Sequence, residues 1–269
     1  MFKKLFSKFT NDSTKQKSTE KKNSQRNKPN VEPTRIGEIG EYKINIQLDQ
    51  LAKNYKYLSD LLIVNSKSKS GYSQIDHVVF TPYAIFVIET KNYQGTIYGD
   101  RNRASWSVNG KFKMMNPFNQ NFGHIQAIKS LIDAKDELTY VSMVSFNRRC
   151  TFKVNEELRK IHSNDIIVYD TELSDYIMRK LNVLKLQPNI KVYSDEEIGY
   201  IYNQLLEHNI SDQSVRQEHI EKIKDTAKTS EIDSSKCAIC DKQVSEKVKT
   251  YCLSNKNRFK GKVYCYEHQ

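Results

Sequence analysis

The sequence lacks any apolar run that could cross a membrane. A membrane-spanning helix needs roughly 18–20 consecutive apolar residues, and no stretch of these 269 residues approaches that length. The apolar core of a secretory signal is missing too, because residues 1–6 are followed by polar residues. The chain also has no internal repeat. The absence of a membrane span and of a secretory signal predicts a cytoplasmic protein.

Cysteine is scarce outside the last 33 residues, which contain four of the five cysteines. The remaining one, Cys150, is expected to be a small apolar filler. In the cytoplasm, cysteines bind metal more often than they form disulfides. The four C-terminal cysteines are therefore candidate metal ligands.

Acidic residues are scarce at both ends of the chain. Residues 1–35 contain ten Lys/Arg and three Asp/Glu, residues 236–269 contain eight and three, and the middle contains 25 and 26. Basic ends around a near-neutral centre suit an anionic polymer or a membrane surface better than a small-molecule substrate. Alternatively, these charged surface residues only keep the protein soluble.

Apolar residues make up only 38% of the chain, so part of it is expected to lie outside the core. Residues 1–35 are predicted to be a disordered basic arm, because they contain too few apolar side chains to order. Within the arm, residues 1–9 carry apolar residues at helical spacing and either contact anionic lipid weakly or form a frayed tail. Residues 211–235 are charged and polar, which predicts a linker or an exposed helix.

Alternating helical and strand patterns predict an α/β core with a mixed sheet. Helices are predicted at about 36–56, 122–138, 173–184 and 194–208, and strands at 57–64, 74–80, 85–91, 95–99, 105–108, 140–146 and 166–169.

Residues 74–80 and 85–91 form a predicted hairpin around a break that contains Pro82. A loop of two or four residues places Asp76 directly opposite Glu89, with Cβ atoms about 4.5–5.5 Å apart. Side chains alternate along a strand, so Lys91 shares the face of Glu89. Two carboxylates on one face repel unless a cation lies between them, which predicts a divalent-metal site.

Hard oxygen ligands of this kind suit Mg²⁺ or Mn²⁺, which bind one or two carboxylates together with substrate phosphate. A neighbouring lysine could orient an attacking water or stabilise the oxyanion of a phosphodiester. An ordinary surface salt bridge is the alternative interpretation of the same residues.

The C-terminal segment carries a C-x₂-C and a C-x₂-H pair separated by 24 residues. This spacing is typical of a tetrahedral structural Zn²⁺ site, with Cys237, Cys240, Cys265 and His268 as ligands. Cys252 is a fifth candidate, either a free thiol or an alternate ligand. Basic and aromatic residues between the pairs suit nucleic-acid binding, although aromatic packing around the metal explains them equally well.

Four motifs resemble the nuclease-related domain (NERD) family and occur in that family's order: GEIGE at 37–41, QIDH at 74–77, IFVIETKNYQG at 85–95 and NPFNQ at 116–120. The resemblance covers about residues 36–150. The family is similar in turn to the PD-(D/E)XK nucleases. It therefore implies a restriction-endonuclease-like mixed sheet flanked by helices, placed here at 36–210, with the zinc-binding module at 236–269.

The resemblance implies roles for five residues. Asp76 and Glu89 correspond to the Mg²⁺ or Mn²⁺ ligands, and Glu89 and Lys91 form the E-x-K element. Glu41 corresponds to the additional acid of many such nucleases, with a helix cap as the alternative. Gln120 corresponds to a downstream glutamine that contacts substrate, or else it satisfies a buried backbone group.

Two positions depart from the pattern, since Ile75 stands where Pro is frequent and Ala84 where Gly is usual. His77 falls on the strand face opposite to Asp76 and is expected to be structural. His124, at a predicted helix start, is expected to be structural as well.

The sequence thus predicts a metal-dependent nuclease that hydrolyses DNA or RNA phosphodiester bonds, with the zinc module and the basic tail aiding substrate binding. A non-catalytic nucleic-acid-binding or scaffold protein that keeps the nuclease-like fold is the alternative.

Overall fold

A five-stranded mixed sheet carries the fold of this protein, for which a computed structural model describes residues 33–132, 138–233 and 236–269. Most of the predicted arm, including residues 1–9 and their lipid contact, lies outside the described residues. The helices and strands are α1 (Pro33–Leu48), β1 (Lys56–Val64), β2 (Tyr72–Phe80), β3 (Ile85–Lys91), β4 (Gly95–Tyr98), β5 (Ser105–Val108), β6 (Phe112–Met115), α2 (Pro117–Lys129), β7 (Tyr140–Phe146), β8 (Cys150–Lys153), β9 (Asp165–Tyr169), α3 (Leu173–Lys185), α4 (Asp195–Glu207), α5 (Gln213–Asp233), α6 (Glu246–Ser254) and α7 (Lys256–Phe259).

The strand order in this sheet is β1-β2-β3-β7-β9. The pairs β1–β2 and β2–β3 are antiparallel, whereas β3–β7 and β7–β9 are parallel. The α/β fold with a mixed sheet is therefore confirmed. Strand β3 is the point where the sheet changes from antiparallel to parallel pairing.

Both faces of β3 are apolar because helices cover both faces of the sheet. Ile85 and Val87 pack into one hydrophobic cluster with residues of α2 and α4. Phe86 and Ile88 pack into a second cluster with residues of α1 and α3. The alternation along the strand thus produces three layers, helices–sheet–helices.

The hairpin between β2 and β3 has the predicted register. His77 pairs with Ile88 and Phe80 with Ile85. The four-residue loop is closed by the Thr81 hydroxyl, which donates to Ala84 O at 2.7 Å. Extending this register by one residue sets Asp76 opposite Glu89, as the sequence predicts.

A smaller four-stranded sheet has the order β6-β5-β4-β8. Its turn at Asn109-Gly110 has φ values of 53° and 69°, as expected for a type I′ hairpin. Trp106 on β5 is buried and lies 5.9 Å from the Phe118 ring and 6.5 Å from the Phe146 ring. These contacts join the small sheet to α2 and β7.

Several boundaries differ from the sequence prediction. Helix α1 ends at Leu48 rather than near 56. Helix α2 spans Pro117–Lys129 rather than 122–138, because the Asn116 side chain accepts from Phe118 N and Pro117 occupies the first turn. Strands β6 and β8 are not predicted from the sequence. Helix α5 covers most of residues 211–235, where the sequence predicts a linker or an exposed helix.

None of the helices in the described part of the chain is long and apolar enough to cross a membrane. The C-terminal segment has a small core of its own, formed by Val248, Cys252, Phe259 and Val263.

Candidate functional site

Asp76 and Glu89 occupy facing positions on β2 and β3. Glu89 is buried, with 3% of its side chain exposed, while Asp76 is only partly buried. Asp76 Oδ2 accepts a hydrogen bond from the backbone N–H of Thr90 at 2.6 Å. This bond and the register of the hairpin hold Asp76 at the end of β3 that carries Glu89.

Lys91 lies two residues further along β3 and points to the same face. Its Nζ is 2.6 Å from Glu89 Oε1 and 3.2 Å from Gln120 Oε1. Gln120 reaches this position from the first turns of α2. The structure thus brings together Asp76, Glu89, Lys91 and Gln120.

His124 also belongs to this group, although the sequence argument treated it as structural. Its Nε2 lies 3.4 Å from Glu89 Oε2, and the residue is 7% exposed. It follows Gln120 by four residues on α2, so both side chains share one helix face. This four-residue spacing from Gln120, the last residue of the NPFNQ motif, is the sequence feature that could have indicated a place for His124 in the site.

Glu41 extends the acidic group from α1. Burial raises the pKa of its carboxyl, and the carboxylates of Asp60, Glu89 and Glu38 raise it further. Glu41 lies well inside α1 rather than at its start, so the alternative of a helix cap does not hold.

The pKa shifts of Asp76, Glu89 and Lys91 differ in direction and cause. Burial, followed by the charge of Glu89, raises the pKa of Asp76 well above its usual range, although the Thr90 N–H opposes the shift. Burial also acts to raise the pKa of Glu89, but the charge of Lys91 and the contact with His124 lower it overall. Burial acts to lower the pKa of Lys91, and Glu89 raises it overall. Lys91 and Glu89 therefore form an ion pair, whereas the charged form of Asp76 is destabilised.

The buried carboxylate retains an unused lone pair. Apart from the 3.4 Å approach of His124 Nε2, Glu89 Oε2 accepts no hydrogen bond within the described residues. A hard carboxylate oxygen with such unused capacity is a suitable ligand for a small divalent cation. The residues present fit Mg²⁺ or Mn²⁺.

His77 lies on the opposite face, as expected. Its Nε2 is 2.9 Å from Asn45 Oδ1 on α1. Burial lowers the pKa of its imidazole to about 4. His77 is therefore a neutral core residue.

A second group of candidate ligands lies in the C-terminal segment. One ligand atom from each of Cys237, Cys240, Cys265 and His268 lies within 4.8 Å of the others. Cys240 Sγ is 3.8 Å from Cys265 Sγ, and His268 Nδ1 is 3.4 Å from Cys237 Sγ and 3.2 Å from Cys265 Sγ. This arrangement could hold a zinc ion.

Cys252 lies outside this group. It is buried in the apolar cluster of the segment, and its Sγ is 3.4 Å from both Tyr264 N and Tyr264 O. Phe259 packs against Tyr251 and Tyr264, with ring centroids 5.9 Å and 5.7 Å away. The structure thus supports packing for these aromatic residues, and Cys252 is not one of the four clustered side chains.

Comparison with known proteins identifies the class. The nuclease-related domain family matches residues 36–147, a range that contains Glu41, Asp76, Glu89, Lys91 and Gln120. The chain belongs to this family, and its fold is nuclease-related. An uncharacterized protein of Bacillus anthracis is 31% identical over 189 residues, which cover 68% of this chain and 82% of the relative. No solved structure matches the chain significantly.

Proposed function

We propose that this protein is a metal-dependent nuclease that hydrolyses phosphodiester bonds in nucleic acid. The observation that carries the proposal is the group at the end of β3, where Lys91 Nζ lies 2.6 Å from a buried Glu89 that faces Asp76 across the hairpin. Membership of the nuclease-related domain family supports it.

Asp76 and Glu89 would hold Mg²⁺ or Mn²⁺, with Glu41 as a further acid. When bound, such an ion makes a coordinated water easier to deprotonate and offsets the charge that develops on a phosphodiester. The protein preorganises this site, because the Thr90 N–H fixes Asp76 and the Lys91 ammonium fixes Glu89.

Lys91 has the geometry of an oxyanion-stabilising group. Its ammonium is held by two acceptors, Glu89 Oε1 and Gln120 Oε1, so it needs little reorganisation when charge appears on the phosphate. The raised pKa of Lys91 keeps it charged at neutral pH. Gln120 then acts on the substrate through Lys91, in addition to any direct contact.

The C-terminal segment is proposed to bind a structural Zn²⁺. Tetrahedral geometry with Zn–S bonds of about 2.3 Å places two sulfur atoms about 3.8 Å apart, and Cys240 Sγ and Cys265 Sγ are 3.8 Å apart. Four protein ligands leave no open position for substrate. The apolar cluster of this segment contains four buried residues, so metal binding would supply much of its folding free energy.

Nucleic acid is the proposed partner. The basic residues of 236–269 would neutralise backbone phosphates. The proposed division of the chain is a basic arm at 1–35, the nuclease domain at 36–210, a connecting segment at 211–235 and the zinc module.

A cleavage assay with the full chain tests the activity. Wild type, Asp76→Ala and Lys91→Ala are incubated with labelled DNA and RNA in the presence of Mg²⁺ or Mn²⁺. Loss of one preorganised charge should lower the rate at least about 100-fold. Lys185→Ala, on α3 at the other face of the sheet, is the matched control and should cut like wild type.

Equal rates in all four proteins would contradict the proposal. Binding of nucleic acid that weakens with salt, unaffected by the substitutions and without cleavage, would instead indicate the non-catalytic alternative. Calorimetric titration with Mn²⁺ separates the two further, since only the nuclease needs the ion at Asp76 and Glu89.

A further inference from the structure

A groove of about 680 Å³ opens beside the acidic group. Asp76, Gln120 and His124 line one end of it. The loop between β1 and β2, strand β2, helix α2 and helix α5 form the rest. Its volume is within the range of about 300–1,000 Å³ that is common for small-ligand sites. The groove is thus continuous with the candidate active site.

Three large apolar side chains in this groove are exposed to solvent. Phe122 is 58% exposed, Met115 is 55% exposed and Ile223 is 51% exposed. Phe122 lies on α2 and lines the same groove as Gln120 and His124. Apolar side chains that gather in one groove indicate a binding site more than scattered exposure does.

A buried histidine from α5 also lines the groove. His219 is 3% exposed, and neither of its ring nitrogens makes a hydrogen bond within the described residues. Its ring contacts Tyr72 edge-on, with centroids 6.0 Å apart. Burial, followed by the charges of Arg216 and Lys222, lowers the pKa of His219. A neutral imidazole offers one donor and one acceptor, and here both are unused.

Helix α5 is held firmly as a wall of the groove. Arg216 Nη1 donates to Asp60 Oδ2 at 2.7 Å, Nη2 donates to Asp60 O at 2.8 Å and Nε donates to Ile210 O at 2.8 Å. These bonds tie the start of α5 to β1. The groove is therefore formed before any ligand binds.

We propose that this groove binds an unpaired nucleotide next to the phosphate that is cut, so that the preferred substrate is single-stranded nucleic acid. The proposal rests on the proposed nuclease function. Phe122 supplies a flat face on which a base stacks, and His219 supplies polar atoms for the edge of that base. A base inside a duplex offers neither its face nor its pairing edge. Lys67, at the exposed rim, is placed to meet backbone phosphate.

Equilibrium binding tests the proposal with the full chain, its zinc retained, and without added Mg²⁺ or Mn²⁺. The probes are a fluorescent single-stranded oligonucleotide and the same sequence as a blunt duplex. Wild type should bind the single strand more tightly. Phe122→Ala should weaken single-strand binding by about 5-fold to about 150-fold, the loss of one stacking contact, and change duplex binding less than about 2-fold.

Tyr200→Ala is the matched control. Tyr200 lies on α4, is 58% exposed like Phe122, and is not part of the groove. Its substitution should leave both affinities unchanged. His219→Phe keeps an aromatic ring against Tyr72 and removes both nitrogens, so it should weaken single-strand binding by about 5-fold.

The proposal is overturned if Phe122→Ala and His219→Phe leave single-strand affinity unchanged, or if they weaken duplex binding equally. A failure of the nuclease function has a different signature. In that case wild type with Mg²⁺ or Mn²⁺ cuts no nucleic acid, while the single-strand preference and its loss in Phe122→Ala persist.

Discussion

Replacing Asp76 by Asn is predicted to make the protein more stable and inactive at the same time. The pKa of Asp76 is raised, first by burial and then by the charge of Glu89. A raised carboxylate pKa means that the charged form is destabilised in the folded protein. Asn keeps the size of the side chain and can still accept from the Thr90 N–H, but it carries no charge.

The magnitude follows from the strand pairing. Facing residues have Cβ atoms about 5 Å apart, and two charges at that distance repel by about 3 kcal/mol at an effective dielectric constant of about 20. Attraction from Lys91 offsets part of this cost. A net gain of about 2 kcal/mol remains, which would raise the melting temperature by about 4–8 °C.

The gain depends on pH. Because the pKa of Asp76 is higher in the folded than in the unfolded protein, the folded protein binds more protons between the two values. Its stability therefore falls as pH rises through that window. Asn lacks this loss, so the difference between the variant and wild type should grow as pH rises through that window and vanish below about pH 4.

Thermal unfolding without added divalent ions measures the gain, and a cleavage assay with Mn²⁺ measures the loss of activity. Adding Mn²⁺ should stabilise wild type and leave Asp76→Asn unchanged. Asp175→Asn, the same change at an exposed site in the first turn of α3, should give no gain. A melting temperature of Asp76→Asn at or below that of wild type at pH 7 would refute the reasoning.

Three further predictions concern the rest of the chain. Lys91→Met should lower stability by about 3 kcal/mol, because it leaves the buried Glu89 charge unpaired; urea unfolding would show the opposite sign to Asp76→Asn. As pH drops from 6.5 to 4, the free energy of unfolding should fall by about 3 kcal/mol more in wild type than in His77→Asn. The folded pKa of His77 is about 4, so the unfolded protein takes up this proton at a higher pH than the folded protein does. Equal pH dependence of stability in the two proteins would contradict this. Elemental analysis should find about one zinc per chain in wild type and in Cys252→Ala, but less in Cys237→Ser. Cys237→Ser should also show faster amide hydrogen exchange that is confined to residues 236–269. Loss of zinc in Cys252→Ala would contradict the ligand assignment.

The hairpin and its acidic pair could be predicted from sequence because the information is local. Two apolar runs and a short polar break determine both the register and the face of each side chain. The positions of Asp76, Glu89 and Lys91 follow from this register and from the alternation of side chains along each strand. The spacing of Cys237 and Cys240 is local in the same sense, since two close ligands form one chelate.

The remaining parts of the site depend on contacts between distant segments. His124 reaches Glu89 only because α2 packs across β3, and its residue type alone favours a structural role. Helix α5 is mostly polar, so its sequence predicts a linker or an exposed helix. Its attachment depends on Arg216 meeting Asp60, 156 residues away along the chain, which no local pattern reveals.

The position of the site follows from the change of pairing at β3. An antiparallel neighbour on one side, β2, lets a two-stranded hairpin set Asp76 against Glu89. A parallel neighbour on the other side, β7, requires a crossover connection, and α2 lies within it. A crossover helix runs back along the sheet, so its first turns lie at the carboxyl end of the strand before it. Gln120, in those turns, therefore contacts Lys91, the last residue of β3. The antiparallel pairing thus contributes Asp76 to the site, and the crossover to the parallel strand contributes Gln120.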